Sequence, residues 1–510
     1  MKSLGVAWAC IHARVFRRPG ERGHEYLPTP PVFFHAPHGV TENHKASDNI
    51  HPDRTLLDLS PPPPILQHIL NSGGFLAYLL PLNAIHFSRR DGSDVSNLIA
   101  PPFDVQDEAS KAALQAKDPH NIVNIDLPHL PPKAAGPLEK YESSNTILEA
   151  WLNRGVLIQD TRAAFYPYQQ TYEMHGRSHH RKGFYALVRL SPFGQGQVVP
   201  HEKTYKGAIE DRLALMRATR CQLSPIFGLY SDPRKDVAGL LYQNLGRPEL
   251  TATLDGVKNE LWSVTDSEVE NQVIDRMGTK PVYIADGHHR YTTALAYQKE
   301  MEEQNGGPLP ANHPANYCLF VLIAMQDDGL LIQPTHRLIG GLDWFDIAAF
   351  TAAIGDQAEV IDTKLAPEMI AQWAQEELPK KPAHTFGIYD GRSKRLYELR
   401  LKNPDVLATL EPAQSESWRR LDVAILQRYL LDELIQPSFA EEKEITKGYT
   451  ADARTIAGQV DGGTYQIALL LQSTPLHALE DLGKHNEVMP QKSTYFFPKL
   501  ATGMVINSLR

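Results

Sequence analysis

The sequence contains few cysteines. Only Cys10, Cys221 and Cys318 occur among the 510 residues, and no two of them have the spacing of a CxxC motif. A disulfide framework needs paired cysteines, and a cysteine zinc site needs closely spaced ligands. The sequence supports neither class of site, and it favours a reducing, cytoplasmic compartment.

Long apolar runs are also missing. The longest, at residues 318–325, is much shorter than the roughly 20 residues that span a bilayer. The weakly apolar start of the chain is soon followed by Arg14, Arg17 and Arg18, which does not fit a signal peptide. We therefore expect neither export nor a membrane partner.

Basic residues are not concentrated in any one stretch. The formal net charge is −9 at pH 7, with 51 Lys and Arg against 60 Asp and Glu. Nucleic acids and anionic membranes are usually bound through a basic stripe. The scattered pattern therefore predicts no nucleic-acid partner and favours a small-molecule substrate, while the oligomeric state is left open.

The pattern along the chain predicts two folded units with appendages. The chain is longer than one ordinary domain. Residues 1–75 are rich in Pro and His and lack periodicity, which predicts a poorly ordered extension or a misplaced start codon. Alternating strand and helix patterns then predict an α/β (α+β) core domain at residues 76–343 and a second, smaller α/β domain at residues 344–480. Residues 481–510 are predicted to form a C-terminal tail that returns to the core.

The most informative stretch is KPVYIADGHHRYTTALAY at residues 280–297. A short apolar run, a turn signal and helical spacing of Ala and Leu predict a strand, a turn and a helix. The start of such a helix offers unpaired N–H groups and a positive dipole end, which suit a phosphate. The phosphate-binding candidates are Asp286, Gly287, His288, His289 and Arg290. Alternatively, Asp-Gly only makes the turn and Asp286 caps the helix.

A second stretch, VVPHEKTYKGAIEDRLALMRATR at residues 198–220, places reactive side chains between a strand and a helix. Glu202, beside His201, has the chemistry of a general base. Lys203 and Arg212 have the charge to bind phosphate oxygens, and Asp211 would hold a metal or orient Arg212. The alternative is an ordinary solvated helix start.

Two further segments hold candidates. Asp104 follows Pro101-Pro102 in NLIAPPFDV, so its carboxylate either lies beside a ligand or caps a helix at residues 106–117. Lys492, Ser493 and Thr494 in MPQKSTYFFPKL have the chemistry to contact a phosphate, although the segment lacks the glycines of a P-loop.

Two basic stretches are interpreted as surface loops. One is the run at residues 178–182, which follows a predicted His175-Gly176 turn. The other is PTHR at residues 334–337, where His336 and Arg337 either face the site or, as we favour, lie in a loop.

Several separated motifs together resemble the domain-of-unknown-function 1015 family of bacterial and archaeal proteins. They are IAPPFDV, VPHEKTYKGAIEDRLALMRATR, SPIFGLY, YIADGHHRYTTAL and MPQKSTYFFPKL, in the family's order, and the likeness extends over residues 82–510. The DGHHR element also resembles the phosphate-binding signature of ParB/sulfiredoxin-like proteins, some of which phosphorylate free serine. The resemblance implies a ParB/sulfiredoxin-like mixed-sheet core, phosphate binding at residues 286–290, and an acidic base for which Glu202 is the candidate.

The leading hypothesis is therefore a phosphate- or nucleotide-binding enzyme, in the form of a small-molecule, serine-like kinase. ATP or ADP would be the nucleotide, Glu202 and His288 the catalytic residues, and Asp286 or Glu202 a ligand of Mg²⁺. One alternative is a nucleotide-binding regulatory module without chemistry. Another is a metal-dependent hydrolase using His201 and the DGHHR side chains, although adjacent histidines rarely bind one ion together and no HExxH motif occurs.

Overall fold

The computed structural model describes residues 79–88, 93–131, 134–204, 206–440 and 443–510. The predicted extension at residues 1–75 lies outside this part of the chain. The described residues form a large mixed sheet, a second sheet and many helices, which confirms the predicted α+β class. None of the helices in these ranges is long and apolar enough to cross a bilayer.

The large sheet is built from the first part of the chain. Its strands and their short neighbours are β1 (Leu79–Leu80), β2 (Ile85–Phe87), β3 (Ser93–Asp94), β4 (Leu157–Gln159), β5 (Tyr166–Met174), β6 (Arg177–Arg189), β7 (Val198–Val199), β8 (Cys221–Gln222), β9 (Ile226–Tyr230), β10 (Leu250–Leu254), β11 (Val257–Leu261), β12 (Val282–Asp286) and β13 (Tyr317–Ala324). The order is β3-β10-β11-β5-β6-β13-β9-β12-β7, with β1 also paired to β6. Every residue of β13 is buried, as its uninterrupted apolar sequence predicts for a strand covered on both faces.

A second, antiparallel sheet is built from the later part of the chain. This part of the chain contains the strands β14 (Leu331–Gln333), β15 (His336–Gly340), β16 (Ala358–Asp362), β17 (Thr385–Asp390), β18 (Arg395–Leu401), β19 (Thr446–Thr450), β20 (Ile467–Leu470), β21 (Tyr495–Phe497) and β22 (Asn507–Ser508). The second sheet contains six of them, because β14, β21 and β22 pair outside it. The sheet order is β16-β18-β17-β20-β15-β19. His336 and Arg337 lie in β15 and are 1% and 0% exposed, so the surface-loop interpretation of these two residues is wrong. The interpretation is also wrong for residues 178–182, which belong to β6.

The end of the chain pairs with strands that are distant in sequence. Strand β21 runs antiparallel to β14, and β22 runs antiparallel to β8. Isolated bridges also join Ile506 to Ile85 and Thr502 to Ala100. The last residues therefore lie against strands and loops from the first part of the chain.

The helices connect and flank these strands. They are α1 (Glu108–Lys117), α2 (Val123–Asp126), α3 (Leu138–Asn153), α4 (Lys206–Thr219), α5 (Asp236–Tyr242), α6 (Ser267–Met277), α7 (His288–Asn305), α8 (Ile347–Ile354), α9 (Ile370–Gln372), α10 (Glu416–Arg419), α11 (Asp422–Ala424), α12 (Gln436–Phe439), α13 (Ile456–Asp461) and α14 (Leu476–His485), with π-helical turns at Trp373–Glu377 and Ile425–Ile435. Helix α7 directly follows β12, and α4 follows β7 after a short loop. Because β7 and β12 are neighbours in the sheet, the two helices begin near the same sheet edge.

Candidate functional site

The DGHHR stretch forms the predicted strand, turn and helix. β12 ends at Asp286, Gly287 adopts a left-handed backbone with φ +98°, and α7 begins at His288. The N-cap residue is Gly287, and both oxygens of Asp286 bind cations, so the alternative in which Asp286 caps the helix is wrong. The N-terminal turn of α7 therefore begins directly after the Gly287 turn.

The Asp286 carboxylate holds two cations. Arg290 Nη2 lies 2.6 Å from Asp286 Oδ2, and Lys499 Nζ lies 2.7 Å from Oδ1. Burial raises the pKa of Asp286, but the charges of Lys499 and Arg290 outweigh burial and hold this pKa well below its usual range. The other end of the Arg290 guanidinium donates to the Pro225 carbonyl. Asp286 and Arg290 therefore hold the turn together, and Asp286 is poorly suited to hold Mg²⁺ as well.

Two buried histidines join the DGHHR turn to the second informative stretch. The His201 backbone N–H donates to His288 Nε2 at 3.2 Å, and the two rings are 4.6 Å apart. His201 Nδ1 donates to the Ile284 carbonyl at 2.6 Å, so its neutral ring can accept from the Thr494 hydroxyl, 2.9 Å from Nε2. Burial lowers the pKa of both histidines, which keeps them neutral at pH 7. These contacts join the DGHHR turn to the loop after β7 and to Thr494, and the catalytic role of His288 stays a prediction.

A cleft of about 300 Å³ lies over this junction. It is lined by Phe103, Asp104, Glu202, Lys203, Gly207, Ala208, Asp286, Gly287, His288, His289, Arg290 and Lys492. Glu202 Oε1 accepts the backbone N–H of Lys492 at 2.8 Å, which connects two residues 290 positions apart. The structure thus brings most of the predicted site residues to one place.

The lining of the cleft carries charges of both signs. Lys203 and Lys492 are exposed, and neither ammonium group pairs with a carboxylate of the described residues. Burial lowers the pKa of His289, and the charges of Glu202 and Asp104 oppose that shift. A ligand in the cleft therefore meets two unpaired ammonium groups and two carboxylates beside His289.

Asp104 belongs to this cleft and not to a helix cap. The helix that follows it begins at Glu108, and its cap is Asp107, whose side chain accepts from the Ser110 backbone N–H. The helix-cap interpretation of Asp104 is therefore wrong. Asp104 lies in a 3₁₀ turn, Phe103–Val105. Burial lowers the pKa of Lys499, but the charge of Asp286 and, more weakly, that of Asp104 outweigh burial and raise this pKa.

The structure does not bring Asp211 and Arg212 to the cleft. Both are buried in α4, where Arg212 Nε donates to Asp211 Oδ2 at 2.7 Å. Asp211 Oδ1 also accepts from Tyr141 and lies 2.7 Å from His129 Nε2. The Arg212 guanidinium stacks on Phe103, 4.1 Å from its ring centre, so it supports the cleft wall from behind.

Ser493 and Thr494 are not among the lining residues of the cleft either. The Ser493 hydroxyl donates to the Pro490 carbonyl, and the Thr494 hydroxyl meets His201. Sequence reasoning missed Lys499, which lies within the quoted MPQKSTYFFPKL motif but has no sequence signal that links it to Asp286. It also missed Gly207 and Ala208, at the start of α4.

Solved structures provide distant similarities. A conserved hypothetical protein from Pyrococcus furiosus is 14% identical, with 61% of this chain and 92% of that chain covered at a TM-score of 0.28. A mutant free serine kinase in complex with AMP is 12% identical, with 59% and 83% covered and a TM-score of 0.29. SbnI with a C-terminal truncation, from Staphylococcus aureus, is 12% identical, with 63% and 87% covered and a TM-score of 0.29. Similarity at this level says nothing about what this chain binds.

The match to a protein family is more extensive. No curated protein matches the chain. Residues 79–424, more than half of the sequence, match the family described as Protein of unknown function (DUF1015). This range includes Asp104, Glu202 and the DGHHR turn, so the predicted family is confirmed. The match ends before the MPQKSTYFFPKL motif at residues 489–500, so the likeness of residues 425–510 stays a prediction, as does the ParB/sulfiredoxin link. The chain belongs to the DUF1015 family.

Proposed function

We propose that the cleft binds the phosphate groups of a nucleotide, ATP or ADP, and that the protein transfers a phosphoryl group to a small hydroxylated acceptor such as serine. The observation that supports this most is the meeting of the N-terminal start of α7 with Lys203 and Lys492 in one cleft. Helix N-termini and ammonium groups are recurrent phosphate ligands, and here they lie together.

Each charged group has a role in this proposal. The ammonium groups of Lys203 and Lys492 would bind phosphate oxygens, and the positive dipole end of α7 would attract them. Arg290 faces the cleft but is engaged by Asp286 and Pro225, so it would add positive charge while it fixes the turn. Phosphoryl transfer depends mainly on such positioning and charge neutralisation.

Glu202 is the proposed general base. One of its oxygens accepts the Lys492 N–H, which orients the carboxylate, and the other makes no hydrogen bond with a described residue. That oxygen would accept the proton of the acceptor hydroxyl. If Mg²⁺ accompanies the nucleotide, Asp104 and Glu202 are the carboxylates that remain to hold it beside the phosphates, because Asp286 is engaged by two cations.

Two other functions are alternatives. A regulatory module would bind the same nucleotide without chemistry, and a Glu202 variant separates that function from a kinase. A metal-dependent hydrolase would need several side chains arranged to bind one metal ion. No group of three His, Cys, Asp or Glu side chains within the described residues is arranged to hold a metal ion.

Calorimetric titration with ADP tests the binding proposal. Lys203→Ala and Lys492→Ala should each weaken binding roughly tenfold, since each removes one charged hydrogen bond to a phosphate. Lys402→Ala is the matched control, because Lys402 is also exposed but lies just after β18 in the second sheet. A wild-type protein that binds neither ATP nor ADP, with or without Mg²⁺, would contradict the proposal.

A further inference from the structure

Two arginine side chains are completely buried without a carboxylate partner. Arg181 in β6 is 1% exposed and Arg337 in β15 is 0% exposed. Within the described residues, every hydrogen bond from either guanidinium ends on an uncharged oxygen. Burial lowers the pKa of each to about 10, so both stay charged at pH 7. Burying a charge without an opposite charge costs free energy, which the hydrogen bonds of the guanidinium must offset.

Both arginines hold the same piece of chain, the C-terminal segment, which we define as residues 489–499. Arg337 Nη2 donates to the Gln491 carbonyl at 3.4 Å. Arg181 Nη1 donates to the Phe497 carbonyl at 3.1 Å and Nη2 donates to the Pro498 carbonyl at 2.5 Å. Because β6 belongs to the large sheet and β15 to the second sheet, each sheet holds one end of the segment.

A lysine follows each group of carbonyls that an arginine binds, and each of these lysines contacts a carboxylate of the cleft lining. Lys492 follows Gln491, gives its N–H to Glu202 and lines the cleft. Lys499 follows Pro498 and gives its ammonium group to Asp286. Gln170, which bonds to Arg181, also donates to the Lys499 carbonyl at 3.1 Å. The peptide groups that the arginines bind therefore set where these two lysines lie.

We propose that Arg181 and Arg337 are positioning residues of the cleft, which fix the C-terminal segment so that Lys492 meets Glu202 and Lys499 meets Asp286. Their effect on ligand affinity rests on the proposed nucleotide-binding function, whereas the holding of the segment does not. The second sheet thereby contributes to the cleft through Arg337, although it supplies no lining residue.

The test combines hydrogen exchange with ADP titration on the full chain. Arg337→Met keeps most of the side-chain volume and removes the donors to Gln491. It should speed exchange of the Lys492 amide, measured by mass spectrometry, roughly tenfold, as expected for the loss of about one hydrogen bond. The affinity for ADP should fall by a similar factor. Arg181→Met should have the same effect on the Lys499 amide, which shares a peptide group with the Pro498 carbonyl.

Arg395→Met is the matched control. Arg395 lies in β18 of the same second sheet, but its guanidinium binds Asp362, 2.9 Å away, and does not reach the C-terminal segment. This variant should leave both exchange at residues 489–499 and ADP affinity unchanged. Arg337→Lys, which keeps the charge but cannot reproduce the fork of donors, provides a milder variant if Arg337→Met does not fold.

The outcomes separate the two proposals. Faster exchange confined to the C-terminal segment supports the positioning role even if wild-type protein binds no ADP, in which case only the nucleotide proposal fails. Unchanged exchange at Lys492 in a folded Arg337→Met or Arg337→Lys variant overturns the positioning role. Exchange that rises uniformly across both sheets also overturns it, because the arginine would then support only the fold.

Discussion

At the scale of single residues, the carboxylates of the cleft are held in different ways. Asp286 is bound on both oxygens by Arg290 and Lys499, whereas Glu202 uses one oxygen for the Lys492 N–H. A carboxylate bound by two cations at these distances is a weak base with its pKa held down, while Glu202 keeps an oxygen for a ligand. This difference favours Glu202 over Asp286 as the group that takes a proton.

Glu202→Gln should separate binding from chemistry. The amide oxygen of Gln can still accept the Lys492 N–H, so we expect the ADP dissociation constant to change less than about threefold. The basic oxygen is lost, so phosphoryl transfer from ATP to serine-like acceptors should fall roughly a hundredfold or more. Radiolabel transfer from ATP measures the second effect. An equal loss of binding and turnover would instead mark Glu202 as a structural or metal-binding residue.

Asp286→Asn should change how stability depends on pH. The pKa of Asp286 is lower in the folded protein than the value of about 3.9 in an unfolded chain, so the unfolded state binds more protons as the pH falls through about 4. The stabilisation by the carboxylate is therefore present at neutral pH and is lost in acid. Wild-type protein should be more stable than the variant at pH 7 by about 2 kcal/mol, with the difference shrinking below about pH 4.

Urea denaturation between pH 3 and pH 7 measures the free energy of unfolding of the wild-type protein and of Asp286→Asn. Asp362→Asn is a suitable control, since Asp362 also pairs with an arginine but lies in β16 of the second sheet, with a more exposed side chain than Asp286. A stability difference for Asp286→Asn that is constant over this pH range would show that the two cations do not hold the carboxylate as described.

At the scale of elements, the junction of β12 and α7 depends on one glycine. Gly287 has φ +98°, and a Cβ atom there would lie 3.0 Å from Arg290 Nε. The backbone conformation and the packing of Arg290 across the turn both disfavour a side chain at this position. The turn that leads into α7 is therefore best made with glycine.

Gly287→Ala should destabilise the protein by about 1–3 kcal/mol and weaken ADP binding, because the Arg290 side chain must move. Gly256→Ala is the matched control. Gly256 also has a positive φ, +77°, but no atom lies within 4 Å of an added Cβ. Chemical denaturation should show a larger loss for Gly287→Ala than for Gly256→Ala. Equal losses would mean that the contact with Arg290 contributes nothing to the turn.

At the scale of the whole molecule, ligand binding should raise the melting temperature, Tm, of the protein. A ligand that binds only the folded state at a concentration one hundred times its dissociation constant stabilises that state by about 2.7 kcal/mol. We therefore expect ATP and ADP to raise Tm in a thermal-shift assay, and inorganic sulfate at equal ionic strength to raise it less. The double variant Lys203→Ala and Lys492→Ala should lose most of the nucleotide shift. Equal shifts for nucleotides and sulfate would argue against a nucleotide site.

Local elements were predictable because their signals come from neighbouring residues. The strand, turn and helix at DGHHR and the buried strand β13 follow from apolar runs, turn residues and helical spacing. The helix-cap interpretation of Asp104 failed because Asp107, three residues later, makes the cap with Ser110. The loop interpretation of Arg181 and Arg337 is wrong because it rests on the usual exposure of basic side chains, and a local pattern does not reveal carbonyl partners far along the chain.

The sequence by itself determined the α+β class, the family and the residue types that a phosphate site needs. Only the tertiary structure decided which of these residues meet. Glu202 reaches Lys492 across 290 positions, and Asp286 reaches Lys499 across 213 positions. Such contacts depend on how the two sheets and the C-terminal segment pack together. Periodicity and turn signals describe only the nearest few residues, so they predicted the parts of the cleft but not its assembly.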